Sequence, residues 1–363
     1  MSNLTKQKRY LSRPPVTPRK VSANMRVTDL VELYTSCGAF QGGRLGMACK
    51  TIEQMLRENT TVALTLAGAM VPAGMGGCLM SLIERGFIDF LISTGANLYH
   101  DMHFALGLPV HQGSPAADDV DLFDAGIERI YDVFITEKAL LDTDKFVRDA
   151  ARELSGAGPI STAVVHRALG AAVLKHAPHP EKSLLATAAK FDVPIYTSSP
   201  GDSSIGMNLC ALKLAGKGLQ VDPDLDVLET TALVAASDKS GVIIIGGGSP
   251  KNFFLQTQPT LWQILGINKG GHDYDVQIGV DSPHWGGLSG ATPSEAVSWG
   301  KINPDELDNS VVVYSDATIA LPIIAAYLAT AVKAKKPKRL YPKRAALLEQ
   351  LRKDWQKTRR GKR

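Results

Sequence analysis

The stretch PSEAVSWGKI, residues 293–302, holds a single lysine behind a tryptophan and a glycine, with a glutamate six positions upstream: Lys301, Trp299 and Glu295. A primary amine forms a Schiff base by transimination, and it attacks only when neutral. Burial beside an aromatic ring lowers a lysine's pKa toward that state. Taken alone, the stretch also fits an ordinary surface lysine.

Other residues along the chain have chemical uses. Three glycines, Gly246, Gly247 and Gly248, follow the apolar run in SGVIIIGGG, where backbone N–H groups approach a phosphate at the end of a strand. AGAMVPAGMGG, after TVALTL, is a second glycine-rich loop of this kind, and two in one sheet favour a dinucleotide. Asp316 in YSDATIALP is placed either to cap the next helix or to accept hydrogen bonds from a ribose. Asp202 and Ser204 in SPGDSSIGM stand at a strand-to-helix turn, with the same two uses. In YHDMH, His100 and His103 share one helix face at i and i+3. No third ligand is near, so no metal site is expected there. His284 and Trp285 lie in a turn-rich loop of the kind that carries sites.

These residues need a scaffold. Runs at 61–66, 88–94, 193–198, 240–248, 273–280 and 309–316 read as strands. Helical patterns fall at 117–135, 161–175, 203–216, 223–238, 250–265 and 317–332, with a broken helical region before residue 58. Strands alternating with helices predict an α/β fold with a mostly parallel sheet covered on both faces.

The 363 residues suffice for one large α/β domain or two smaller ones, and a 44% apolar, 21% charged composition is that of a globular enzyme. No run approaches the length needed to cross a membrane, and no signal peptide is visible, so a cytoplasmic protein is expected. Four scattered cysteines predict reduced thiols. Charge is uneven. Residues 1–26 carry seven basic side chains and no acidic ones, residues 333–363 fourteen basic and two acidic, and the middle 19 basic and 34 acidic. Without a nucleic-acid-binding motif, the basic ends are expected to dock on their own acidic body or a neighbouring subunit.

Read together, EAVSWGKI, GVIIIGGG, VVVYSDATIALPII, VPIYTSSPGDSSIG and GFIDFLISTGAN resemble the deoxyhypusine synthase family, in order along the chain. VTDLVELYTSCGAFQGGRLGMA is a weaker match. The resemblance covers roughly residues 25–332. It implies a doubly wound, Rossmann-like domain over 27–332, between a basic arm at 1–26 and a basic tail at 333–363, and a homotetramer whose paired subunits share the active-site region. It implies NAD as cofactor and a polyamine or related amine as substrate, an aminobutyl group passing through an imine on a lysine to an amine acceptor. That lysine falls on Lys301, with Trp299 against the amine chain and Glu295 pairing with an amine. Thr94, Asp202, Gly246, Gly247, Gly248, Asp316 and Ala317 fall on NAD-binding positions.

The departures concern the substrate. Met207 and Leu288 stand where the family has amine-binding acids, Asn252 where it has a histidine near the scissile amine, and His100 where it has a glutamate. Ala69 and Pro72 replace two NAD contacts. Asp281, Glu295 and His100 are the acids and imidazole available as replacement anchors. Such a chain is expected to be a bacterial deoxyhypusine synthase-like transferase. The alternatives are a homospermidine synthase-type enzyme with a small-amine acceptor, a true deoxyhypusine synthase acting on a translation-factor lysine, and a non-catalytic NAD-binding protein.

Overall fold

The computed structural model describes residues 3–12 and 14–360; the remaining few residues of the two basic ends lie outside them. The strands are β1 (Thr61–Leu66), β2 (Phe90–Ser93), β3 (Val110–Gln112), β4 (Ile127–Ile130), β5 (Val133–Thr136), β6 (Ile195–Tyr196), β7 (Ser240–Ile245), β8 (Tyr274–Gly279) and β9 (Ser310–Tyr314). Six of them form one parallel sheet in the order β6-β2-β1-β7-β8-β9. Ranked by position in the chain, that is the 3-2-1-4-5-6 order of dinucleotide-binding sheets, which reverses between β1 and β7. The expected α/β, doubly wound, mostly parallel fold is what the chain adopts.

Alternation along the strands divides the interior into two layers. Val62, Leu64 and Leu66 of β1, Ile243 and Ile245 of β7, and Tyr274, Val276 and Ile278 of β8 face a large core. Ala63, Val242 and Ile244 face a smaller one, under helices Pro223–Ala235, Gly248–Leu255 and Arg344–Arg360. A parallel strand covered on both faces should be apolar on both. Strand β8 breaks this rule on the second face, where it turns Asp275 and Gln277 inward, 1% and 2% exposed.

The helix predicted over 117–135 is instead a short helix, Asp119–Asp124, followed by the hairpin β4–β5, which joins β3 in a separate antiparallel sheet. Gly126 adopts a left-handed φ of +64° after the helix, and Tyr131 turns between the strands at +55°. The isoleucine- and valine-containing runs IERI and VFIT supply the strands.

Residues 333–360 fold back on the body. The amine of Lys338 donates to the Thr60 carbonyl and Thr61 hydroxyl and lies 3.3 Å from the Asp89 carboxylate, at the amino ends of β1 and β2. Helix Arg344–Arg360 buries Leu351 on the second layer. At its start Arg344 donates to Glu229 at 2.9 Å and to Ser161, and packs 3.9 Å from the Tyr341 ring centre. Basic residues of this segment thus dock on acids of the body, as their charge predicts. No helix among the described residues is long and apolar enough to cross a membrane.

Arg344 and Glu229 are nearly buried, so removing one partner strands the other's charge. Arg344→Ala is expected to lower the unfolding free energy by about 3 kcal/mol in urea titration. A loss no larger than that of an exposed salt bridge would contradict the packing described.

Candidate active site

The helix Pro293–Ser298 that presents Lys301 begins with a cap: the Thr292 hydroxyl accepts from the Glu295 N–H at 3.2 Å, and proline occupies the first turn. It ends because Gly300 takes a left-handed φ of +64°. A Cβ on Gly300 would also stand 2.6 Å from Nε1 of Trp262, so two independent reasons require glycine there. The Lys301 N–H donates to the Ala296 carbonyl, and the Lys301 carbonyl accepts from the His272 N–H, which clamps its backbone. Its Nζ donates to Oδ1 of Asn252 at 2.9 Å and lies 5.6 Å from the Trp299 ring centre. Burial lowers the Lys301 pKa, and Glu295 opposes that shift.

Lys301 lines a cavity of about 280 Å³ together with Lys251, Asn252, Asp275, Leu288, Glu295 and Trp299. The candidate residues Lys301, Glu295, Trp299 and Asn252 therefore meet in one place, although they come from segments some fifty residues apart. Leu288 presents an apolar wall. Trp299 stands 62% exposed at the rim, and Trp285 is 82% exposed on the loop after β8.

Lys251 and Asp275 are not distinguishable as site residues by motif. Lys251 is 3% exposed and spends its amine on Gln277 Oε1 at 2.9 Å, the Ser289 carbonyl at 3.2 Å and the Ala291 carbonyl at 2.5 Å. Burial lowers its pKa, with Asp275 opposing. Burial pushes the Asp275 carboxyl up to about 7, with Lys251 opposing. The signal available in the sequence was the period-two polarity of DYDVQ inside an otherwise apolar strand.

The residues expected to hold NAD lie along the carboxyl edge of the sheet. Gly246 and Gly248 have left-handed φ values, +80° and +58°. At Gly247 a Cβ would stand 2.6 Å from Cα of Ser289, and at Gly246 3.0 Å from the Ala67 carbonyl of the loop after β1. Gly248 opens a helix, its N–H on the Ser289 hydroxyl. The two glycine-rich loops therefore meet where the strand order reverses. Thr94 precedes helix Gly95–Leu106 after β2, and its hydroxyl accepts from Asn97. Asn97 also donates to the Gly68 carbonyl and accepts from the Val71 N–H, shaping the loop after β1, a role no motif had pointed to. Asp202 is exposed on the turn after β6. The cap of helix Ser204–Leu214 is Ser203, whose hydroxyl accepts from Gly206. A Cβ on Gly95 would stand 2.4 Å from that hydroxyl, so the turns bearing Thr94 and Asp202 touch. Asp316 caps helix Ala317–Ala331 by accepting from the N–H and hydroxyl of Thr318, while Ala317 is buried. A crevice at strand ends, with glycines where a Cβ would collide, suits a pyrophosphate beside a helix start.

His100 is elsewhere. Its Nδ1 lies 3.0 Å from Nε2 of His103, whose Nδ1 meets the Thr143 hydroxyl. Burial pushes His100 down to about 4, so it is neutral at physiological pH, and it does not line the Lys301 cavity within this chain. Asp101 faces the opposite way, accepting from Ser183, Leu184 and Leu185. Asp281, another acid available as an anchor, does not line the cavity either.

The model of the family described as "Deoxyhypusine synthase" matches residues 29–328. A "Deoxyhypusine synthase-like protein" of Nostoc punctiforme is 48% identical over 353 residues, spanning 94% of this chain and 89% of its own. A "Probable deoxyhypusine synthase 2" of Methanosarcina acetivorans is 44% identical over 312 residues, spanning 86% and 88%. Among solved structures, a putative deoxyhypusine synthase from Entamoeba histolytica superposes with a TM-score of 0.56 at 17% identity, over 86% of this chain and 96% of that one, a likeness of fold.

A lysine whose pKa is lowered by burial is neutral at lower pH than an exposed one. Acetylation of Lys301, followed by mass spectrometry against pH, is expected to reach its plateau below the pH at which Nα-acetyl-lysine added as an internal standard does. Coincident profiles would contradict the desolvated setting.

Proposed function

The chain belongs to the deoxyhypusine synthase family, and on that premise we propose that it is an NAD-dependent transferase. In this reading it moves an aminoalkyl group, aminobutyl in the family, from a polyamine or related amine through an imine on Lys301 to an amine acceptor. The observation that carries the reading is the setting of Lys301. Its amine is partly desolvated, held by a neutral amide and flanked by Trp299 and Glu295, in the one cavity those residues share.

Bound in the crevice of Gly246, Gly247 and Gly248, with Thr94, Asp202, Asp316 and Ala317 along the same edge, NAD would accept a hydride from the amine and later return it. The chain's own work is the rest. Asn252 accepts a hydrogen bond from the Lys301 amine and so aims its nitrogen without adding charge. The neutral lysine attacks the substrate imine carbon, a new C–N bond forms, the old one breaks, and the leaving amine departs with a proton. Glu295 is placed to hold a substrate cation at the cavity mouth, and Trp299 to cover the alkyl chain. An acceptor amine then displaces Lys301 by the same exchange.

A small-molecule acceptor fits best, in the manner of a homospermidine synthase. Where the family has amine-binding acids, this cavity has the apolar wall of Leu288, and Met207 is exposed on another helix. True deoxyhypusine synthase activity on a translation-factor lysine is the second reading. Trp299, exposed at the cavity, and Trp285, exposed on the loop after β8, support a homotetramer in which a neighbouring subunit covers the site, since exposed aromatics of that size mark interfaces.

Incubating the protein with NAD and an amine panel should produce absorbance at 340 nm. Borohydride should then trap an aminoalkyl adduct at Lys301, located by peptide mass spectrometry. Lys301→Arg keeps the charge and loses the adduct. Full turnover by that variant, or no adduct on the wild type with any amine, would overturn the transfer reading. Labelled spermidine with the factor precursor separates the two acceptors: label on the protein favours the second reading, and label on a small amine the first.

A further inference from the structure

Asp275 is a buried acid in the site that the transfer steps leave unused. It sits on β8, opposite Val242 of β7 and Ser310 of β9, on the face of the sheet whose core is built by Ala63, Val242 and Ile244. It is 1% exposed, and its Oδ1 has no hydrogen-bond partner. The obvious candidate to neutralise it is Lys251. An ammonium has three N–H donors and no more. Lys251 directs its own to Gln277, Ser289 and Ala291, and no salt bridge joins it to Asp275. The two charges feel each other without touching. A buried carboxylate left without a donor is costly, and a group retained in that state has a use outside the resting protein.

The use follows from where it points. Asp275 lines the same cavity as Lys301 and Glu295, and that cavity has lost its wall acid to Leu288. We infer that Asp275 is the inner anion that seats a second cationic group of the substrate. The site therefore takes an amine carrying another ammonium or guanidinium in preference to a monoamine. The inference rests on the amine-transfer reading and deepens it by naming the specificity-determining carboxylate. With the far cation on Asp275, the reacting carbon is held toward Lys301, and Glu295 remains free for the outer nitrogen. A plain alkylamine has a single nitrogen, so it cannot place a cation on Asp275 and present a reacting nitrogen toward Lys301 at the same time.

The test uses the full chain with NAD, titrated calorimetrically with 1,4-diaminobutane and with butylamine. The wild type is expected to prefer the diamine by at least about tenfold, the worth of one charge-assisted contact. In Asp275→Asn that preference should collapse toward unity. Without amine, Asp275→Asn should melt at or above the wild-type temperature, because it removes a buried carboxyl that has no hydrogen-bond donor. A lower melting temperature would mean the carboxylate is a structural partner of Lys251 and would overturn the inference. So would a preference unchanged by the substitution, or a wild type that binds neither amine. The borohydride adduct keeps the two readings apart. Trapping at Lys301 with an unaltered preference removes only the role of Asp275. A preference that depends on Asp275 with no adduct removes only the transfer reading.

Discussion

A lysine ammonium with 3% of its surface exposed has three N–H groups to place, and most of the site depends on where Lys251 places them. One goes to Gln277 on β8, and two go to carbonyls of the loop that follows that strand, at Ser289 and Ala291. Gln277 uses its amide nitrogen on the Ser289 carbonyl as well, at 2.6 Å. The same loop's Ser289 hydroxyl receives the N–H of Gly248. One cation therefore joins the helix after β7, the strand beside it, and the segment leading into the helix of Glu295 and Lys301. The large apolar side chains of that loop, Val280, Trp285 and Leu288, stand exposed rather than packed inward, so charge-assisted bonds in a dry setting do what packing does elsewhere.

That arrangement connects the two halves of the crevice. Gly247 has no side chain because Ser289 lies where a Cβ would be, and Ser289 lies there because Lys251 holds it. The glycine-loop side and the lysine side thus share a wall. Asn252, the next residue, is brought within 2.9 Å of Lys301 by the same helix. A histidine at that place would add a titrating group beside Lys301. An amide keeps the geometry and leaves the lysine's protonation to burial and Glu295.

Much of this was legible in the residues. The strand and helix periods fixed the layer architecture, and the glycine runs marked the crevice, because φ values and close approaches leave few choices of side chain. Asp316 was open between cap and ligand from sequence, and the structure gives it the cap. What was not legible depended on long-range burial. Lys251 sits in an unremarkable PKNF, and only the distant carbonyls of Ser289 and Ala291 make it an anchor. Asp275 was hidden in a run that reads well as a strand, since alternation alone does not say that both faces are covered. The hairpin at 127–136 was lost to its charged residues, which suggested a helix until Gly126 and Tyr131 turned the chain. His100 had a partner three residues on that spacing exposed but could not explain.

The docking of residues 335–344 has a temporal side. Lys338 reaches Thr60 and Thr61 across 278 and 277 positions, and Lys335 bonds the carbonyl of Leu56 across 279. Thr60 and Thr61 are at the head of the central strand. The first strand of the sheet therefore waits for residues 277 to 279 positions further on before its amino end is electrically closed. Contacts of such sequence separation are slow to form, because a long loop must be ordered before they contribute. During synthesis the sheet must stand with Asp89 uncovered until this segment arrives. A chain cut before residue 335 leaves Asp89 without Lys338 and also uncovers the second layer, whose Leu255 and Ala296 line the Lys301 cavity, so the packing of that cavity is completed only when this segment has docked.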